Sequence, residues 1–184
     1  MISVTGTTIP GCLSLEIPYH ADDRGTLVKV FQRSAFAQLG LPEEFREQFH
    51  SRSDAGVVRG LHVQEPPSAH VKLVTCVYGD VYDVVVDLRI GSTYGLHVSF
   101  DLSGSEGRAI IVPVGCAHGF LSRRADSIVG YWTTGEHDPE HDGGVRWDSA
   151  GIDWPLFGRT PIVSVRDQRL PSIDAYASPF HLDG

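Results

Sequence analysis

The alternation of apolar and polar positions predicts an all-β chain. The stretch "HVKLVTCVYGDVYDVVVDLR" (70–89) holds two β-branched runs on either side of Gly79-Asp80, the pattern of two strands joined by a tight hairpin turn. "LHVSFDLS", "RAIIVPV", "HGFLSR" and "SIVGYWTT" follow at spacings of about ten residues, with Gly, Pro, Asp or Ser between them. Short strands at such regular intervals indicate an antiparallel sandwich or barrel. The tail "TPIVSVRDQRLPSIDAYASPF" offers one more short strand and then an irregular end. Helical signal is sparse: "SAFAQLG" predicts a short helix with Ser34 as N-cap and Gly40 just past its end, and "PEEFREQ" a weaker second one. No repeat, low-complexity segment or linker divides the chain, so residues 1–184 are expected to form a single domain.

Period-two alternation also places the polar side chains. Val81, Asp83, Val85 and Asp87 share one face of their strand, while Val84, Val86 and Leu88 share the other. Both faces are largely apolar, so this strand is expected to be buried on both sides, with Asp83 an acid in apolar surroundings. Tyr131 lies on the face of Val129 and Thr133, and Lys72 on that of Val74 and Cys76. In "GVVRGLHVQEPPSAHVKLV" (56–74), Arg59, His62 and Lys72 interrupt what otherwise reads as apolar strand. Burying such groups costs several kcal/mol unless each meets a partner. A barrel interior could collect them.

Composition narrows the function classes. An apolar fraction of 41% is that of a folded globular chain. No run approaches the ~18 apolar residues of a membrane span, and "MISVTGTTIPGCLSL" lacks the basic-then-apolar pattern of a signal peptide. Three cysteines, Cys12, Cys76 and Cys116, form no CxxC and cannot all pair, which fits a reduced, cytoplasmic setting. A net charge of −8 argues against nucleic acid as a partner, though not against a small anionic ligand, which answers to local charge.

Three kinds of chemistry fit the residues. "PVGCAHGF" has the Pro-x-Gly-x-x-His form of a cupin metal motif, delivering His118 into a small barrel. Its companion motif, however, reads His62-Val63-Gln64, with Gln64 where a second ligand belongs, a poor site for zinc or iron. Acid–base chemistry on a carbonyl compound would use His62 as base, Lys72 beside a developing oxyanion and Tyr131 as acid. The same three also read as a satisfied core histidine, a snorkelling lysine and a packed tyrosine. A nucleophilic Cys116 beside His118 has nothing further to support it, and buried thiols are commonly inert.

Taken together, "DDRG" (22–25), "FHSRS" (49–53), "GVVRGLHVQEP" (56–66), "VKLVTCVYGDVYDVVVDLRIGS" (71–92), "IIVPVGCAHGF" (110–120), "YWTTGEHDPEHDGGVRW" (131–147), "IDWP" (152–155) and "VSVRDQRLP" (163–171) resemble the dTDP-4-dehydrorhamnose 3,5-epimerase family. The resemblance implies a cupin-like antiparallel jelly-roll barrel with a few short helices. It further implies a homodimer that works without metal or organic cofactor on a dTDP-4-keto-6-deoxyhexose. By the same resemblance His62 is the base, Asp167 its orienting acid, Lys72 the enolate-stabilising cation and Tyr131 the acid on the opposite sugar face. His118 and Asp83 form a supporting pair, Gln64 and His137 border the substrate, and Arg59, Arg24 and Arg166 hold the diphosphate.

The sequence departs from the family pattern in places. After DxRG the usual aromatic and glutamate are Leu27 and Lys29, and the usual Q-x-N is Glu47-Gln48-Phe49. Lys29 and Glu47 are therefore expected at the nucleobase, as a compensating swap or as the mark of another base. Val63 and His137 stand where tyrosines are usual, which bears on whether C3, C5 or both centres are inverted.

Overall fold

The computed structural model describes residues 1–182. The chain runs through β1 (Ser3–Gly6), β2 (Leu13–Glu16), β3 (Tyr19–Asp22), β4 (Gly25–Val28), α1 (Arg33–Gln38), β5 (Glu47–Ser53), β6 (Val57–Gln64) and β7 (Lys72–Tyr78). It continues through β8 (Asp80–Asp87), β9 (His97–Ser103), β10 (Arg108–Val112), β11 (Cys116–Ser122), β12 (Ser127–Thr133), β13 (Asp142–Gly144), β14 (Ile162–Val163) and α2 (Val165–Gln168). One sheet has the order β1-β2-β10-β7-β12-β5 and the other β13-β6-β11-β8-β9, with β14 parallel to β6; β3 and β4 pair only with each other. The two sheets face one another as the cupin-like antiparallel jelly-roll barrel that the sequence predicts.

Three apolar clusters hold this arrangement. Val74, Cys76, Val81, Val85, Phe120 and Val129 fill the space between the sheets. The outer face of the second sheet, with Val84, Val86, Leu88 and Leu121, is covered by Trp154, Ile173 and Phe180 from the chain after β13. The outer face of the first sheet, with Leu15, Leu73 and Ile111, is covered by Phe36 of α1 and by Phe31 and Phe45 beside it. Each large side chain so buried contributes ~1.5–3 kcal/mol. This double cover is why β8 reads as apolar on both faces.

The structure corrects three local expectations. Gly79-Asp80 is not a hairpin: β7 pairs with β10 and β12, whereas β8 pairs with β11 and β9, so the chain changes sheets there. Gly79 has φ +87° and a Cβ at this position would run into Ser127, so the corner requires glycine. "PEEFREQ" is not helical, because Phe45 packs against Phe31 and Phe36 and the chain then extends into β5. In α1 the N-cap is Gln32, and Ser34 lies inside the first turn, while Gly40 has the expected left-handed φ of +67°.

Strand β6 carries the irregularity that matters most for the site. Across the β6–β11 ladder His118 opposes His62 and Phe120 opposes Arg59, so three steps on β6 match two on β11. Arg59 and His62, which simple alternation would put on opposite faces, therefore both turn away from the outer cluster that holds Val58, Leu61 and Val63. The sheets of atoms are so close here that a Cβ on Gly60 would sit 2.6 Å from Gly119 Cα.

Candidate active site

Inward-facing residues of the first sheet form rows across three strands. Lys72 on β7, Thr133 on β12 and Glu47 on β5 are in register, and the next row is Val74, Tyr131 and Phe49. The second sheet brings His62 on β6 beside His118 on β11. Between them lies a cleft of about 300 Å³, lined by Glu47, Phe49, His62, His70, Lys72 and His137 together with Gln64, Thr133 and Asp142.

Two histidine–aspartate pairs dominate its chemistry. His62 Nε2 lies 2.8 Å from Asp167 Oδ1. Asp167 Oδ2 accepts from the Gly60 N–H at 3.1 Å, and the Asp167 N–H donates at 3.0 Å to Ser164 Oγ, the N-cap of α2. Burial pushes the Asp167 carboxyl up, but the hydrogen bonds from His62, Gly60 and Ser164 outweigh it and hold it below its ordinary value. The carboxylate thus draws the imidazole N–H to Nε2 and leaves Nδ1 as the basic nitrogen. The second pair, His118 Nε2 to Asp83 Oδ2 at 2.8 Å, is closed off, with side-chain exposures of 4% and 0%. Its other oxygen, Asp83 Oδ1, has no hydrogen-bond partner among the described residues.

Lys72 Nζ donates to the His62 carbonyl at 3.3 Å. Burial pushes this ammonium down to about 8, with Asp142 opposing and Arg166 adding to the shift. Tyr131 is 8% exposed, stacked face to face on Phe49 (4.7 Å, 14°) and edge-on to His118 at 5.9 Å. Burial drives its phenol well above the usual tyrosine value, with the Ser51 hydroxyl and the Arg59 charge opposing. Burial and Lys72 together lower His70. A base and a cation therefore face one cleft, with a phenol buried just behind its Phe49 wall; the three are carried by three different strands, and a buried carboxylate orients the base. Such a set can remove and return a proton next to a carbonyl group.

The remaining sequence candidates divide. Arg166 donates to Asp142 Oδ2 at 2.6 Å, and its Nη1 stands 3.3 Å from His62 Nε2, a charge at the rim of the pair. Arg59 donates to Ser53 Oγ and the Arg52 carbonyl, on the inner side of β6. The His137 N–H donates to Glu47 Oε2 at 2.7 Å, which ties these two together at the cleft. Glu47 is thus separated from Lys29, which lies across α1 in a different hollow with Leu27 and Gln32. Arg24 sits at the tip of the β3–β4 arm, ion-paired with Asp22 and 90% exposed. Neither Arg24 nor Lys29 reaches the His62 cleft of its own chain, so no compensating swap joins Lys29 to Glu47 there. Gln64 lines the cleft, but its amide is fully used: Nε2 donates to the carbonyls of Asp138 and His141, and Oε1 accepts from the Asp138 N–H. Both imidazoles of the metal-motif reading, His62 and His118, are committed to aspartates instead. Cys116 is buried with its thiol pushed up, which makes it a poor nucleophile.

Phe49, His70 and Asp142 are cleft residues that the sequence reading did not single out. His70 was within reach, since it shares the face of Lys72 two positions on. Asp142 follows a 3₁₀ turn at Pro139–His141 and carries no local signal.

Residues 6–175 match the family model described as dTDP-4-dehydrorhamnose 3,5-epimerase. The chain belongs to that family. A dTDP-4-dehydrorhamnose 3,5-epimerase of Escherichia coli is 40% identical over 177 residues, covering 94% of this chain and 95% of that one. The epimerase of Legionella pneumophila, solved with dTDP-4-keto-L-rhamnose, superposes with a TM-score of 0.93 at 32% identity over 100% of both chains. A 3′-monoepimerase of Streptomyces bikiniensis, solved with dTDP-quinovose, gives 0.86 at 30% identity, covering 91% of this chain and 86% of that one. The protein is an isomerase, an epimerase of deoxysugar biosynthesis.

Proposed function

We propose that the chain, acting as a single catalytic domain, inverts one or both centres flanking the ketone of a dTDP-4-keto-6-deoxyhexose without metal or organic cofactor. The observation that carries this reading is the His62–Asp167 pair at the cleft, with Nδ1 free among the described residues, the Lys72 ammonium beside it and Tyr131 packed behind Phe49. His62 Nδ1 takes the proton from the carbon next to the ketone, and the C–H electron pair moves into the carbonyl to give an enolate. Lys72 donates to the enolate oxygen; one such fixed donor is worth ~3–4 kcal/mol in the transition state. The enolate then collapses, its carbon taking a proton from Tyr131 on the other face, so the centre inverts. No net electron transfer occurs, and base, cation and acid are all side chains.

The diphosphate falls to Arg59 and Arg166, with His118–Asp83 supporting the floor. Arg24 and Lys29 serve a second copy of the chain: Arg24 sits at the tip of a two-stranded arm whose side chains are almost wholly exposed, and Lys29 just past the arm's end, as a homodimer exchanging arms would require. The cytoplasm, where sugar nucleotides are made and thiols stay reduced, is the setting this implies.

Proton NMR of dTDP-4-keto-6-deoxyglucose in heavy water tests the reading. Loss of both the C3 and C5 proton signals identifies a double epimerase. Loss of one identifies a single-centre enzyme, the reading favoured if His137 and Glu47 reshape the cleft mouth. No exchange with either centre overturns the proposal.

A further inference from the structure

The mechanism above makes no use of Phe49, yet its placement is unusual. It stands on β5, the edge strand of the first sheet, in direct register with Tyr131 on β12. A large apolar side chain at an edge would ordinarily turn to cover the core. Phe49 instead remains 41% exposed and lines the cleft. One face of its ring lies flat on Tyr131, at 4.7 Å and 14°. His118 closes the tyrosine from another side at 5.9 Å, edge to face. Aromatic pairs prefer offset or edge-to-face contact, and both are met here.

The consequence falls on the phenol. With rings on two sides, Tyr131 keeps only 8% of its surface exposed. Ser51 Oγ, two residues along β5 from Phe49, is buried without a hydrogen-bond partner of normal geometry among the described residues. The phenol has the Ser51 hydroxyl beside it and the Phe49 and His118 rings on two sides, so aromatic packing bounds its direction. Resting on the proposed role of Tyr131 as the acid, we propose that Phe49 is a positioning residue that sets how the enolate is reprotonated. By stacking on Tyr131 it keeps the phenol dry and aimed at the carbon, so that the proton returns from the Tyr131 face rather than from His62. A misplaced donor still allows His62 to remove a proton and hand back a solvent-derived one, which exchanges the hydrogen but leaves the centre unchanged.

The two outcomes separate in heavy water. Deuterium gained with retention reports His62 alone, and deuterium gained with inversion reports Tyr131. In Phe49→Ala, the ratio of retained exchange to inversion is expected to rise about tenfold, with total exchange within about threefold of wild type. Phe49→Leu, which keeps bulk without a flat face, should raise the ratio in the same direction, and Phe49→Tyr should restore it. An unchanged ratio in both the Ala and Leu variants overturns the proposal, as does a raised ratio in Phe49→Tyr. Should Phe49→Ala fail to fold, the Leu and Tyr variants decide alone. A wild-type enzyme that exchanges no proton overturns the epimerase reading and this one with it. Wild-type inversion with a ratio insensitive to Phe49 overturns this one only.

Discussion

Two histidine–aspartate pairs with the same 2.8 Å separation have their histidines on neighbouring strands of one sheet, and their surroundings give them different work. The His62 side chain is 27% exposed at the cleft, and both oxygens of Asp167 are occupied, one by the imidazole and one by the Gly60 N–H. The His118 pair is sealed in the barrel, and one oxygen of Asp83 has no partner. The first pair has a free nitrogen within reach of a ligand and a carboxylate held ionised by its hydrogen bonds. The second has no open path, and one of its carboxyl oxygens lies unmatched in apolar surroundings. An identical contact thus serves catalysis at one place and structure at the other, and access with satisfaction of the second oxygen decides which.

Changing the bases breaks the comparison most sharply. His62→Asn should lower α-proton exchange by ~10³-fold, within the range of a lost general base, while the midpoint of thermal unfolding barely moves. Asp167→Asn should cost ~10²-fold, because the imidazole then loses the partner that fixes its tautomer. Equal losses from His118→Asn and His62→Asn, read by exchange in heavy water, would erase the distinction.

Next in size is Lys72. Lys72→Met should cost ~10²-fold or more in turnover through loss of the cation at the enolate oxygen. The wild-type rate should also fall as pH rises through about 8, since burial has brought the ammonium down to that value and its neutral form cannot offset the enolate charge. Lys72→Arg, weaker in absolute rate, should lose this alkaline limb. A limb that persists in the arginine variant would assign it to another group.

The sealed pair should answer in stability rather than in rate. His118→Leu leaves Asp83 buried without its partner, and breaking a buried pair in this way costs ~3 kcal/mol or more. Urea unfolding should show that loss, while exchange per folded molecule stays within about tenfold. Asp83→Asn, which keeps a hydrogen-bonding partner for His118, should cost less than His118→Leu.

Much of this is legible in the sequence. Periodicity grouped Asp83 with Val81 and Val85, and Lys72 with Val74 and Cys76, the faces that turn inward, but apolar cover on both sides of a strand leaves the pattern silent on which face that is. It failed where alternation fails: Arg59 and His62 reach one face only through the extra residue of β6, and no propensity marks that bulge. The Gly79 corner defeats the hairpin signature because a glycine turn between two apolar runs looks the same whether the strands pair or part company. His62 and Tyr131 read as a base and an acid from residue type alone, whereas Asp167 enters only through motif resemblance, since it lies 105 residues from the histidine it pairs with. The wall formed by Phe49, His70 and Asp142 depends on two strands and the loop before β7 meeting, which no local window contains.

Gln64 provides the finest test of access. It lies two residues beyond His62, is 4% exposed, and its amide grips the Asp138 and His141 backbone, drawing the 138–141 turn against β6. That turn is fastened further by Ser68 and His141, both bonded to Asp138 Oδ2. Their hydrogen bonds, with one from the Glu140 N–H, bring the Asp138 carboxyl down to about 2, so the fastening persists across the working pH range. In Gln64→Leu the Asp138 N–H and two carbonyls lose their partner, at ~1–3 kcal/mol for a buried group left unmatched. With Ser68 and His141 still in place, the turn should loosen rather than detach. KM should rise a few-fold, about the effect of a mobile cleft wall, with turnover at saturation within about twofold. A drop in turnover without a change in KM would move Gln64 from holding the wall to touching the reacting sugar.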